Sequence, residues 1–91
     1  MIRSFKHKGL KRLYLHGDKK HLPDNMLERI EEILTLLDVA TDLEDMDLPH
    51  FRLHPLIGNY KGFWSVKVRA NWRIIFKFED EPENVDFIDY H

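Results

Sequence analysis

The chain contains no cysteine, so a disulfide framework, a thiolate zinc site and a cysteine nucleophile are all excluded. Glycine and proline are scarce, four of each in 91 residues, which rules out a collagenous or low-complexity chain. No apolar run approaches the ~20 residues needed to span a bilayer, and Met1 to Lys11 lacks the apolar middle of a signal peptide. Neither membrane nor secretion is indicated, and the cytoplasm is the expected compartment. What remains is 43% hydrophobic and 33% charged, enough apolar surface for one core and one domain at this length, residues 1–91.

The net charge of -2 conceals a strong segregation. Residues 1–23 carry seven basic side chains against Asp18 alone, and residues 24–47 carry nine acidic ones against Arg29 alone. Residues 48–78 then hold Arg52, Lys61, Lys67, Arg69, Arg73 and Lys77 with no acid, and the tail 79–91 carries six acidic residues with no lysine or arginine. Charge runs are commonly solvated faces, but two basic blocks can also line one anionic site.

Hydrophobic spacing predicts the elements. Met1 to Phe5 reads as a short extended start. Leu10, Leu13 and Tyr14 recur at helical spacing before Gly17, a helix stop. A second helix opens at Pro23 and Asp24 and runs to about Ala40, with Met26, Leu27, Ile30, Ile33, Leu34, Leu37 and Ala40 on one stripe. The acidic segment Thr41 to His50 reads as a connection. Strands follow: Phe51 to His54, then Trp64, Val66 and Val68, then Trp72, Ile74, Phe76 and Phe78, and a last one through Val85 and Phe87 to the end of the chain. The expected fold is α+β, a short N-terminal strand and two helices packed on one face of an antiparallel sheet, with the other face open.

Period-two alternation predicts the cargo of that open face. With the large apolar residues turned to the helices, Lys67, Arg69, Arg73, Lys77, Arg52 and His54 all point away. Like charges on neighbouring strands are unfavourable unless something anionic offsets them, and a phosphate backbone is the natural candidate; pairing with the acidic tail is the competing reading. Six histidines raise the question of a metal. However, His50 and His54, four apart on a presumed strand, would stand about 13 Å from each other, too far to share one zinc. No metal and no cofactor are expected. The terminal Asp89, Tyr90 and His91 are three proton-transfer residues, but a regular strand would turn Asp89 and His91 to the helix side and leave only Tyr90 on the open face. A bulge or a bent end is therefore expected.

These residues carry a family resemblance: the opening Ile2-Arg3-Ser4-Phe5-Lys6-His7-Lys8-Gly9-Leu10, the Leu48-Pro49 and Leu53-His54-Pro55-Leu56 segments, Lys61-Gly62-Phe63-Trp64-Ser65-Val66, Asn71-Trp72-Arg73, and Asp89-Tyr90-His91. The chain resembles, over residues 2–91, the HigB branch of the RelE and ParE superfamily of type II toxin-antitoxin systems, the plasmid-maintenance killer proteins. The resemblance implies a RelE-like fold and a ribosome-dependent mRNA endonuclease that cuts messages in the decoding site of the 70S ribosome. It also implies a HigA-type helix-turn-helix antitoxin, through which alone operator DNA would be bound. Carried over residue by residue, the family's catalytic positions fall on His54, Arg73, Asp89, Tyr90 and His91.

Metal-independent cleavage of RNA by its own 2'-hydroxyl needs a base, an acid and cations for the developing charge. His54 or Asp89 would be the base and His91 the acid. Tyr90 would orient or stack on a base, and Arg73 would stabilise negative charge. Lys61, Lys67, Arg69, Lys77, Lys19 and Lys20 are the candidate RNA contacts. The alternatives are a ParE-like DNA gyrase inhibitor on the same fold, an inactive co-repressor, and a generic RNA-binding domain.

Overall fold

A computed structural model describes residues 1–91. Its first helix, α1 (Lys8–His16), starts where the His7 backbone is extended and its Nδ1 accepts the Leu10 N–H at 3.2 Å. Gly17 ends it at φ 66, and the N–H groups of Gly17 and Asp18 turn back to the carbonyls of Leu13 and Arg12, the left-handed cap that glycine adopts without strain. Pro23 precedes a single 3-10 turn, Asp24–Met26, that feeds α2 (Leu27–Val39). The stripe on α2 is core as expected: Ile30, Ile33, Leu34 and Leu37 are buried, while Leu27 is half-buried.

Two further 3-10 turns occupy the predicted connection. Asp42 and Asp45 cap the first reciprocally, Leu43–Met46, and the second is Pro49–Phe51. Met46 and Phe51 are fully buried, so this acidic segment contributes two large core side chains despite its lack of periodicity. The strand expected from Phe51 does not form. Arg52 is left-handed at φ 50, which breaks the alternation, and the edge strand β1 is only His54–Pro55, where Pro55 has no N–H to extend the ladder.

The sheet runs β1, β2 (Trp64–Arg69), β3 (Trp72–Phe78), β4 (Pro82–Asp89) in that spatial order, every pair antiparallel. The N-terminal segment lies parallel to β4 as one bridge, Phe5 to Val85. Arg3 and Lys6 donate their N–H groups to the Pro82 and Val85 carbonyls at 2.8 Å, and Ser4 accepts from Val85 at 3.1 Å. The expected N-terminal strand is thus a single bridge with a short run of hydrogen bonds that covers the edge of β4.

One sheet face packs on the helices: Val66, Val68, Ile74, Phe76, Val85 and Phe87 join the helical stripes in one cluster. The opposite face is not open throughout. The β2-preceding loop folds back, Leu56 N–H to the Phe63 carbonyl at 2.9 Å, and Leu56 and Phe63 bury Ile75 with Tyr60, Ile88 and Tyr90 around them. A small second core therefore sits in the middle of the face that alternation alone would leave to solvent.

Candidate active site

Strand register sets the rows of the second face. His54 pairs with Ser65, Ser65 with Ile75, and Ile75 with Asp86. The next row along is Lys67, Arg73 and Ile88. At sheet spacings of about 4.8 Å between strands and about 3.4 Å per residue, the Cα atoms of His54 and Arg73 stand roughly 12 Å apart. Arg73 occupies the middle of the face, between His54 on the edge strand and the chain end beyond β4.

The Arg73 guanidinium is held by the turn between β2 and β3: Nη1 donates to the carbonyls of Ala70 at 3.0 Å and Trp72 at 3.4 Å. Its Nε is buried without a partner, as is the Ser65 hydroxyl. Leaving a buried donor unmatched costs about 1–3 kcal/mol; a phosphate oxygen suits the outer N–H groups of a guanidinium. His54 is exposed and its Nδ1 lies 2.9 Å from the Arg52 carbonyl. A carbonyl only accepts, so Nδ1 carries a proton, and in the neutral ring Nε2 is then the nitrogen with the lone pair. The left-handed Arg52 that ends the predicted strand is thus what aims its carbonyl at the histidine.

The chain end is organised differently. Asp89 pairs with Trp72, a residue of the helix side whose ring stacks on Phe87 at 4.7 Å. Tyr90 donates its N–H to the Asn71 carbonyl at 2.9 Å, and its ring meets Tyr60 at 6.0 Å on the second face. His91 places Nε2 3.4 Å from an Asp89 carboxylate oxygen and Nδ1 3.1 Å from the Asn71 amide. An Asn71 N–H facing Nδ1 fits the neutral ring with its proton on Nε2, toward Asp89. The expected terminal bulge is absent. The irregularity of β4 falls between the Ile75 and Lys77 pairings, where Asn84 is left-handed at φ 54, upstream of the regular register from Asp86 to Asp89, and the strand ends at Asp89.

Other expected contacts separate. A bulge between Lys67 and Arg69 pairs Arg69 with Trp72, which turns it from the second face into a cleft with Asn25, Glu28, Arg29 and Glu32 at the start of α2. Lys19 lies in the helical layer, its Nζ 3.8 Å from Glu31, and Lys20 is its exposed neighbour. Lys67 stays beside Arg73, Lys61 is exposed on the covering loop, and the Lys77 ammonium sits 5.2 Å from the Phe63 ring centroid. His50 lies on a turn rather than a strand and is engaged by Glu32 at 3.0 Å. No group of three His, Asp or Glu side chains gathers in a way that would hold a metal ion.

Two participants escaped the sequence reading. Asn71 stood in the Asn-Trp-Arg motif, where only the arginine was used. Lys6 reaches the second face because the N-terminal segment runs beside β4, placing its Nζ 5.7 Å from the Phe63 ring.

Two helices on a four-stranded antiparallel sheet are the architecture of the RelE-like fold. Among solved structures, a histidine-to-glutamine variant of YafQ from E. coli superposes with a TM-score of 0.58 at 25% identity, covering 93% of this chain and 89% of that one. Residues 3–91 match the family described as the RelE-like toxin of type II toxin-antitoxin system HigB. The chain is 42% identical to an endoribonuclease HigB of Proteus vulgaris over 92 aligned residues, covering 100% of both. It is 32% identical to toxin HigB-1 of Vibrio cholerae, covering 100% of this chain and 98% of that one. The chain belongs to the HigB-like toxin family.

Proposed function

We propose that this toxin is an endoribonuclease that cuts mRNA in the decoding site of the ribosome by attack of the 2'-hydroxyl on the adjacent phosphate. The observation that carries the reading is the half-buried Arg73, its guanidinium held by the turn between β2 and β3, standing between His54 and the chain end. In-line displacement puts the attacking and leaving oxygens on opposite sides of phosphorus, so a base and an acid approaching from opposite sides of a central cation suit it. His54, with Nε2 free, is the base in this scheme. His91, with Nε2 protonated beside Asp89, is the acid that protonates the leaving 5'-oxygen. Tyr90 and Tyr60 offer a stacking surface for an unpaired base. The 42% identity over the whole chain to a protein named for endoribonuclease activity supports the same chemistry.

A type II toxin has an antitoxin as partner. We assign that role to a HigA-type helix-turn-helix protein, which would hold the toxin and carry operator binding for the pair; Lys19 and Lys20, on the helical layer, belong to ribosome or antitoxin contact rather than to the cutting face. The test is cleavage of a defined mRNA by purified toxin with and without programmed ribosomes, comparing wild type with His54→Ala and His91→Ala, each with and without chelator. Cutting only on ribosomes, unaffected by chelator and lost in both variants, is the expected result. Growth arrest without cleavage under any condition, accompanied by inhibition of gyrase supercoiling, would overturn it.

A further inference from the structure

Lys6 and Lys77 come from opposite ends of the sequence and meet on one aromatic ring. Their ammonium groups lie 5.7 and 5.2 Å from the Phe63 centroid, so both lie within reach of one ring face or edge, held there by cation–π attraction. The ring itself is fixed: Phe63 is 8% exposed and packs on Leu56 and Ile75. Neither lysine has a carboxylate within ion-pair distance, although Glu83 stands opposite Lys77 across the strands; Glu83 pairs with Arg3 instead, at 3.8 Å. Two cations gathered without a counterion, in a chain whose acidic residues outnumber its basic ones 16 to 14, form a local anion site.

Its position gives the anion. Alternation along β3 places Lys77 on the same face as Arg73, four residues away, about 13 Å at strand spacing. The hydrophobic centre made by Ile75, Phe63 and Tyr60 lies between them. Cation, apolar surface and cation in that order match a single strand of RNA, whose phosphates alternate with bases that stack on aromatic rings.

We propose that Lys6 and Lys77, mounted on Phe63, bind an RNA backbone phosphate a few nucleotides from the one held at Arg73. The inference rests on the ribonuclease reading for its orientation, but its test does not depend on cutting. Binding of a 2'-O-methyl oligonucleotide, which lacks the attacking hydroxyl, is followed against salt for wild type and for Lys6→Gln/Lys77→Gln, with and without ribosomes.

For single strands each phosphate neutralised contributes about 0.7 to the slope of log affinity against log salt, so the double variant, which gives up one phosphate, should lose about 0.7 in slope. Lys6→Arg/Lys77→Arg, which keeps both charges, should restore it. Loss on the free oligonucleotide assigns the phosphate to the message, and loss only on ribosomes assigns it to ribosomal RNA. An unchanged slope in both settings, with the double variant folded by circular dichroism, overturns the proposal. Cleavage by the wild type is scored separately, so a toxin that binds through these lysines but does not cut would refute the nuclease reading alone.

Discussion

Replacing Asn71 by alanine removes the group at 3.1 Å from His91 Nδ1 and leaves the histidine with Asp89 as its one side-chain partner. A neutral hydrogen bond of this kind contributes about 0.5–1.5 kcal/mol. His91 has 74% of its side chain exposed, so water replaces part of the loss and the lower half of that range applies. Expressed as a rate, this is roughly a two- to fivefold fall in kcat, against the hundredfold or more expected for removing a general acid in His91→Ala.

Asn71→Asp separates positioning from bulk. A carboxylate beside Nδ1 holds the proton there and favours the charged ring, so the alkaline limb of the pH-rate profile should move to higher pH. The assay is single-turnover cleavage of a ribosome-bound message between pH 5 and 9. A wild-type profile and rate in both variants would refute the assignment of His91 as an acid supported by Asn71.

Further outcomes follow from the same geometry. Burial pushes the His7 imidazole below its ordinary 6.5, against an opposing pull from Asp86, and its Nδ1 must stay unprotonated to cap α1. Stability should therefore be full above pH 6.5 and fall as pH drops through the lower folded value, a dependence that His7→Ala abolishes in urea titrations at pH 5 and 7.5. Gly9→Ala should destabilise, although alanine favours helix by about 1 kcal/mol, because a Cβ there would come 2.8 Å from His7 Cε1 and 3.1 Å from His21 Cβ; a raised melting temperature would contradict this. A peptide fused after His91 should reduce cutting, since the terminal residue is the proposed acid, and full activity of a C-terminally tagged protein would count against it. Phe76→Ala, which empties a fully buried site, should cost about 3–5 kcal/mol in denaturant unfolding.

Much of this architecture was legible because its determinants are local. The stop at Gly17, the α2 stripe and the Trp64 to Phe78 hairpin are matters of spacing between near neighbours. The same local rule failed at two places for one reason. At Arg52 a single left-handed residue ended the strand, and between Lys67 and Arg69 one bulged residue carried Arg69 to the other side. Alternation is only as good as its register, and a one-residue slip reverses every side chain beyond it. At the chain end the ladder stayed regular through Asp89 where a bulge was expected, and His91, beyond the strand, is placed by its contacts with Asn71 and Asp89 instead.

By itself, the order of residues determined the elements, the helical face of the core and a basic second face carrying His54 and Arg73, since each depends on which side of a helix or strand a residue occupies. Tertiary structure alone decided what covers that face and what touches across it. Phe63 and Leu56 bury Ile75, Asn71 meets His91 across 20 positions, and Lys6 joins Lys77 from the far end of the sequence. Such contacts are set by strand order and by the path of the Leu56 to Phe63 loop, which no periodicity within a single element encodes.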